Sequence, residues 1–164
     1  MVDSSLKNVS ILVVDDTTLM QQLIHDVLKR LGFQKVVVVN SGRKAIELVA
    51  QHSFDFIITD WRMDDMTGID LIRYVRTAPQ SRNPHIPIIM LTGNSEVRDV
   101  IEARDVGVNE YMIKPFSAEQ LVKRIRSVIE HPRRFVEAAN YNGPDRRRVL
   151  QFPLKGAERR KRRA

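Results

Sequence analysis

Apolar and polar positions along the chain follow two periods, and the switches between them mark out the elements. Val9-Ser10-Ile11-Leu12-Val13-Val14 is a short, β-branched apolar run that predicts a buried strand. Asp15 and Asp16 break it, and Asp16 or Thr17 can cap a helix whose apolar positions Leu19, Leu23, Val27 and Leu31 recur at helical spacing until Gly32. Val36 to Val39 predict a second strand, and Gly42 to His52 a short helix with Ala45, Ile46, Leu48 and Val49 inward. Phe54-Asp55-Phe56-Ile57-Ile58-Thr59-Asp60 is a third strand that stops abruptly on a carboxylate.

Beyond a loop holding Met63, Met66 and Gly68, the pattern returns to the helical period over Ile69 to Arg76, with Leu71, Ile72 and Val75 apolar. Ala78 to Pro87 is a polar connection, slightly long for a helix-to-strand link. Ile88-Ile89-Met90-Leu91 predicts a fourth strand ending on Thr92, and a helix from Ser95 to Asp105 precedes Gly107. Glu110 to Ile113 form a fifth strand ending on Lys114-Pro115. The last helix starts near Ser117, turns Leu121, Ile125, Val128 and Ile129 inward, and meets Pro132, which cannot continue it. Strands alternating with helices in this way predict a right-handed, doubly wound parallel sheet covered on both faces: α/β, flavodoxin-like (βα)5, with strand order 2-1-3-4-5.

A chain of 164 residues suits one domain, residues 1–130, plus an extension, residues 131–164. The absence of cysteine excludes disulfides, thiolate metal sites and a thiol nucleophile. No apolar run reaches the roughly 18–20 residues that span a bilayer, and Met1-Val2-Asp3-Ser4-Ser5 lacks the regions of a signal peptide. A cytoplasmic protein with no membrane insertion is expected. The net charge of +7 divides unevenly: residues 1–130 hold 16 Lys and Arg against 17 Asp and Glu, whereas residues 131–164 hold 11 against 3. All the basicity therefore lies in the tail.

Candidate chemistry falls on one edge of the predicted sheet. Asp15 and Asp16 follow the first strand, Asp60 the third, Thr92 the fourth and Lys114 the fifth, and the first and third strands are neighbours across the switch point. Taken singly, these residues read more readily as helix caps, a turn residue or a solvated charge than as chemistry. Together they place three carboxylates, a hydroxyl and an ammonium in one crevice. A hard divalent cation such as Mg²⁺ relieves that repulsion, because it takes oxygen ligands and bridges to phosphate. Asp60 is then a nucleophile for phosphoryl transfer, with Asp15 and Asp16 holding the metal, the backbone carbonyl of Arg62 available as a further ligand, Lys114 neutralising phosphate oxygens and Thr92 donating a hydrogen bond.

Val13-Val14-Asp15-Asp16, Thr59-Asp60-Trp61 with Met63, Met66 and Gly68, Leu91-Thr92-Gly93, and Lys114-Pro115-Phe116 resemble the CheY-like receiver domains of bacterial two-component signalling, over about Val9 to Ile129. The resemblance implies Asp60 as phosphoacceptor, a histidine kinase or phosphotransferase as donor, and a cis peptide before Pro115. It also implies a switch in which Thr92 moves to the phosphate and Tyr111 turns inward. Such a receiver is not an enzyme toward other substrates; it assists its own phosphorylation and dephosphorylation. Asp64 departs from the family, which usually has proline there, and adds a charge beside the site. The small Gly93 after Thr92 leaves the phosphoryl group accessible, which in such domains goes with easier hydrolysis. A haloacid-dehalogenase-type enzyme also uses an aspartate nucleophile, but in an Asp-x-Asp pattern after the first strand, whereas Asp15 and Asp16 are adjacent.

The tail holds His131-Pro132-Arg133-Arg134-Phe135, Tyr141-Asn142-Gly143-Pro144-Asp145-Arg146-Arg147-Arg148, and Lys155 to Arg163. Gly143-Pro144-Asp145-Arg146-Arg147 recurs 13 positions later as Gly156-Ala157-Glu158-Arg159-Arg160. Few aliphatics and high charge predict a segment disordered alone that folds on a ligand. Arginine planes stack on bases and pair with guanine O6 and N7, and a carboxylate accepts from guanine N–H groups, so guanine plus phosphate is the best-matched partner. The segment resembles the arginine-rich tail of the Cle proteins, CheY-like receivers that bind cyclic di-GMP. That implies a nucleotide site of Arg133, Arg134, Tyr141, Asp145, Arg146, Arg147 and Arg148, and action on motility or attachment, with the flagellar motor switch as a target. The alternative is a phosphorelay shuttle whose basic tail binds nucleic acid or an acidic protein.

Overall fold

The computed structural model describes residues 4–93 and 97–147. An opening 3-10 helix, Ser4–Asn8, leads into five parallel strands: β1 (Ser10–Val14), β2 (Lys35–Val39), β3 (Phe56–Asp60), β4 (Ile88–Thr92) and β5 (Glu110–Ile113). Between and after them run α1 (Thr18–Arg30), α2 (Gly42–Gln51), α3 (Gly68–Thr77), α4 (Val97–Val106) and α5 (Ala118–Glu130). The sheet has the order β2-β1-β3-β4-β5, the flavodoxin-like arrangement that the alternation of periods predicts. Central strands β1, β3 and β4 are buried almost throughout, whereas the edge strand β2 is half exposed.

The sheet separates two apolar clusters. Ile24, Val27 and Leu28 of α1 and Leu121, Ile125 and Val128 of α5 pack on one face against Ile11, Val13, Ile58 and Leu91. On the other, Ala45 and Val49 of α2, Leu71, Ile72 and Val75 of α3 and Ala103 of α4 meet Leu12, Val14, Ile57 and Met90. Such burial supplies roughly 1.5–3 kcal/mol per large side chain relative to exposure. Two residues expected inward are not: Leu19 is 76% exposed and Ile129 39%. Leu19 lies in the first turn of α1, ahead of the residues that cross the sheet, and Ile129 in the last turn of α5. Side-chain caps fix the entries of α3 and α5, where Thr67 with Asp70 and Ser117 with Gln120 form capping boxes. The N-cap of α1 is Thr17 rather than Asp16.

Part of the segment expected to order only on a ligand has a structure of its own. β6 (Phe135–Ala138) and β7 (Tyr141–Pro144) pair antiparallel through a two-residue turn, Ala139-Asn140. The hairpin packs on the amino-terminal edge of the sheet, opposite the edge that carries Asp60, because a buried cation waits there for a cover. Arg76, at the end of α3, is 2% exposed. It donates to the carbonyls of Gly107 (3.0 and 2.8 Å), Pro84 (2.6 Å) and Ile86 (2.7 Å) and to Asn109 Oδ1 (3.1 Å). Burial pulls its guanidinium down to about 10, still charged at neutral pH. Phe135 lies over this cation at 5.3 Å and Asn142 donates to the Arg76 carbonyl at 3.3 Å. Gly107, at φ +101°, and Gly143 let the backbones touch: a Cβ at Gly143 would stand 2.7 Å from the Gly107 Cα. His85 completes the contact, stacking on Phe135 at 3.8 Å and meeting Glu137 at 2.6 Å.

Candidate functional site

The carboxyl edge of the sheet gathers the residues that the strand ends predict. Asp15 is wholly buried, Asp60 is 7% exposed and Thr92 3%, while Asp16 is half-buried. Oxygens of Asp15, Asp16 and Asp60 all lie within 4.8 Å of one another. Backbone and amide groups aim them: the Thr17 N–H donates to Asp15 Oδ1 at 2.8 Å, the Gln21 side chain to the Asp15 carbonyl at 2.6 Å, and the Trp61 N–H to Asp60 Oδ1 at 2.9 Å. Lys114 enters from the end of β5, its own N–H bound to the Thr92 carbonyl at 2.7 Å. Its Nζ stands 3.1 Å from Asp15 Oδ2 and 3.1 Å from Asp60 Oδ1. The Lys114-Pro115 peptide is cis, as the resemblance implies.

This packing sets the electrostatics. Burial pushes the Asp60 carboxyl above its ordinary value; the Lys114 ammonium opposes the rise and the Asp15 charge adds to it. Burial pulls Lys114 down, but the charges of Asp60 and Asp15 outweigh it and hold the ammonium above the usual lysine range. An all-oxygen donor set compact enough to surround one hydrated ion fits a hard divalent cation, and Asp15, Asp16 and Asp60 are the side chains that would hold it. The loop after Asp60 is pinned from both sides. Arg62 bridges to Thr67, and the Gly68 N–H donates to the Trp61 carbonyl at 2.6 Å. Gly68 passes so close to the end of β3 that a Cβ there would collide with the Asp60 carbonyl, so this glycine keeps the acceptor's backbone in place. Asp64 is exposed and outside the carboxylate group. Tyr111 is half-buried on β5 against the α4 side of the core.

The sequence gives no warning of Asp65. Although exposed, it accepts from Ser41 Oγ (2.8 Å) and from the backbone N–H groups of Gly42 (3.1 Å) and Arg43 (2.9 Å), tying the loop after Asp60 to the start of α2.

The predicted nucleotide residues lie at the opposite edge. The Arg146 guanidinium sits 3.9 Å over the Tyr141 ring, whose hydroxyl donates to the Pro144 carbonyl at 2.6 Å. Asp145 closes the hairpin's exit, donating its N–H to the Arg134 carbonyl at 2.6 Å and accepting from the Arg147 N–H at 2.9 Å. Arg133 pairs with Glu110 at 3.2 Å and Arg146 with Asp105 at 3.4 Å. Arg134 and Arg147 are exposed. Arg148 and the second arginine repeat lie outside the described residues.

A parallel (βα)5 sheet with an acidic crevice at its carboxyl edge and a lysine reaching in from the last strand defines a receiver-like α/β protein. The response regulator receiver domain family matches residues 11–126. Among relatives, the chain is 40% identical over 120 residues to the chemotaxis protein CheY of Pseudomonas aeruginosa, covering 73% of this chain and 95% of that protein. It is likewise 40% identical over 120 residues to CheY1 of Helicobacter pylori, with the same coverage. A solved structure of CheY4 of Vibrio cholerae superposes with a TM-score of 0.67 at 32% identity, over 73% of this chain and 98% of that one. The chain belongs to the response regulator receiver domain family, as a CheY-type receiver of two-component signalling. The hairpin lies beyond the matched residues. Among the described residues no helix is long and apolar enough to cross a membrane.

Proposed function

We propose that this receiver takes a phosphoryl group on Asp60 from a histidine kinase or phosphotransferase and that its arginine-rich segment binds cyclic di-GMP, so that two signals converge on motility or attachment, with the flagellar motor switch as a target. The observation that carries the first half is the ammonium of Lys114 held 3.1 Å from both Asp15 and Asp60 at the end of the central strands. In the transfer, the N–P bond of a phosphohistidine breaks as a bond forms between an Asp60 carboxylate oxygen and phosphorus. The imidazole leaves with the electron pair of the broken bond. Asp15, Asp16 and Asp60, with the Arg62 carbonyl as a further ligand, would hold Mg²⁺, which would supply the charge neutralisation that lets two anions meet. Lys114 moves from its two carboxylates to the phosphoryl oxygens, and the Thr92 hydroxyl donates to them. Thr92 and Tyr111 act as the switch pair. Asp60→Asn should abolish acid-labile phosphate incorporation from a small phosphodonor; retained labelling would move the acceptor elsewhere.

Support for the second half comes from Arg146 stacked on Tyr141 beside Asp145, with Arg133, Arg134 and Arg147 around them: planar cations, an aromatic face and a carboxylate in one small area. Arg148 is proposed to join them. Titration calorimetry on the full chain tests it. Heat with cyclic di-GMP that disappears in the double variant Arg146→Ala, Arg147→Ala, while phosphorylation persists, is the expected result. Equal heat with RNA, collapsing steeply with salt, would favour a tail that binds nucleic acid or an acidic partner.

A further inference from the structure

Two carboxylates of the receiver body hold the hairpin's arginines. Glu110, the first residue of β5, meets Arg133 of the tail at 3.2 Å and Arg124 of α5 at 3.0 Å. Asp105, in the last turn of α4, meets Arg146 of the tail at 3.4 Å and its neighbour Arg104 at 3.0 Å. Each acid is thus shared between one arginine that belongs to the receiver and one that belongs to the tail. That arrangement allows an exchange: when the tail arginine leaves, the acid keeps a cation and the departing guanidinium takes another anion. The Arg146–Asp105 pair is exposed on both sides, at 39% and 43%, so parting it costs what a surface ion pair is worth. Glu110 is 11% exposed against 25% for Arg133, and there Arg124, 3.0 Å away, keeps the acid paired when Arg133 leaves.

We propose that Asp105 and Glu110 act as internal stand-ins for an anionic ligand, occupying Arg146 and Arg133 until a phosphate-bearing guanine nucleotide displaces them. The inference rests on the reading above that these arginines bind nucleotide, and it adds a link to the receiver. Ligand binding releases the end of α4 and the start of β5, immediately before Tyr111, and by reciprocity any rearrangement there that loosens the two pairs tightens the ligand by the same factor.

The test titrates cyclic di-GMP and, separately, inorganic pyrophosphate into the full chain and into Asp105→Asn, Glu110→Gln and Glu47→Gln. The last removes the same charge from α2, where Glu47 pairs with Lys44 of its own helix. Asn and Gln keep the shape of the acids they replace, and matched circular dichroism melts establish that each variant is folded. Affinity for cyclic di-GMP should rise about two- to fivefold in Asp105→Asn, as an exposed ion pair is worth, rise at least as far in Glu110→Gln, where the pair is less exposed, and stay unchanged in Glu47→Gln. Equal or weaker binding in the first two, with the parent chain still binding, overturns the inference and leaves the nucleotide reading standing. If cyclic di-GMP fails throughout but pyrophosphate binds more tightly to those two variants than to Glu47→Gln, the nucleotide reading falls and the exchange stands. Failure of both probes in all chains overturns both.

Discussion

The two edges of the sheet are charged in opposite senses, yet they are balanced in the same way. At the carboxyl edge, acids that would hold a metal are bridged by a lysine of the same chain; at the amino edge, arginines that would hold an anion are bridged to acids of the same chain. They differ in how firmly they are built. Asp15 and Asp60 stand on buried central strands and are oriented by backbone N–H groups 2.8 and 2.9 Å away. Arg133 and Arg146 stand at either end of a small hairpin whose strands are four residues each. A rigid edge suits chemistry that needs atoms in line, whereas a lightly held one suits a ligand that must displace what is already there.

Removing the support of the amino edge should separate the two most sharply. Arg76→Ala strips five hydrogen bonds from buried or half-buried acceptors and takes away the cation beneath Phe135. A loss of about 3 kcal/mol in urea unfolding is expected, since orphaned buried carbonyls each cost roughly 1–3 kcal/mol and some regain water. Amide exchange should rise across residues 135–144 while Asp60 still takes phosphate at low temperature. Phosphorylation lost in step with the hairpin would mean that the two edges are not independent.

A smaller effect is expected at the carboxyl edge. Lys114→Met leaves Asp15 and Asp60 without the ammonium that stands 3.1 Å from each, so a divalent cation no longer competes with it. The Mg²⁺ midpoint should fall roughly tenfold, the order that one unit charge gives at a partly buried site. Trp61 is the single tryptophan and directly follows Asp60, its backbone N–H donating to Asp60 Oδ1, which makes its fluorescence the natural reporter. A midpoint that stays or rises would show that Lys114 helps to organise the metal site rather than standing in for the metal. Phosphorylation should nevertheless slow, because the same ammonium is proposed to neutralise the incoming group.

The two edges were also unequally legible in the sequence, for a physical reason. Asp60, Thr92 and Lys114 end apolar runs, and in a parallel sheet the end of a run is a position in space, so local pattern alone brings them together. The hairpin sends no such signal: Asn142-Gly143-Pro144 has the composition of a turn but lies within β7, and its stability comes from Arg76, 66 residues away. A clue existed in α3, where Ile69, Ile72 and Arg76 share a helical stripe, so that a cation falls on an inward-facing line. Read as the end of an amphipathic helix it is unremarked; read as a buried charge it demands acceptors and a cover. Asp65 was hidden likewise, and Gly68 stood in a recognisable motif without its reason, since close backbone approach and caps made from another loop are long-range facts.

The smallest expected effect concerns Asp65, which fastens the phosphoacceptor loop to α2. Burial works against its ionised form, but hydrogen bonds from the Arg43 N–H, Ser41 and the Gly42 N–H prevail and hold the carboxyl at about 2, below its ordinary 3.8. A group whose value is lower folded than unfolded adds stability that is complete above the unfolded value and is lost as pH falls through the folded one, here between about 4 and about 2. Because Asp65 is exposed, the gain is screened, and Asp65→Asn should cost under about 1 kcal/mol at pH 7. Urea melts of the two proteins at pH 7, 5 and 3 should show a constant gap between the first two and a narrower one at the third. A gap that is unchanged at pH 3 would assign the effect to the shape of the cap rather than to its charge, and the loop would then be tied to α2 by neutral hydrogen bonds alone.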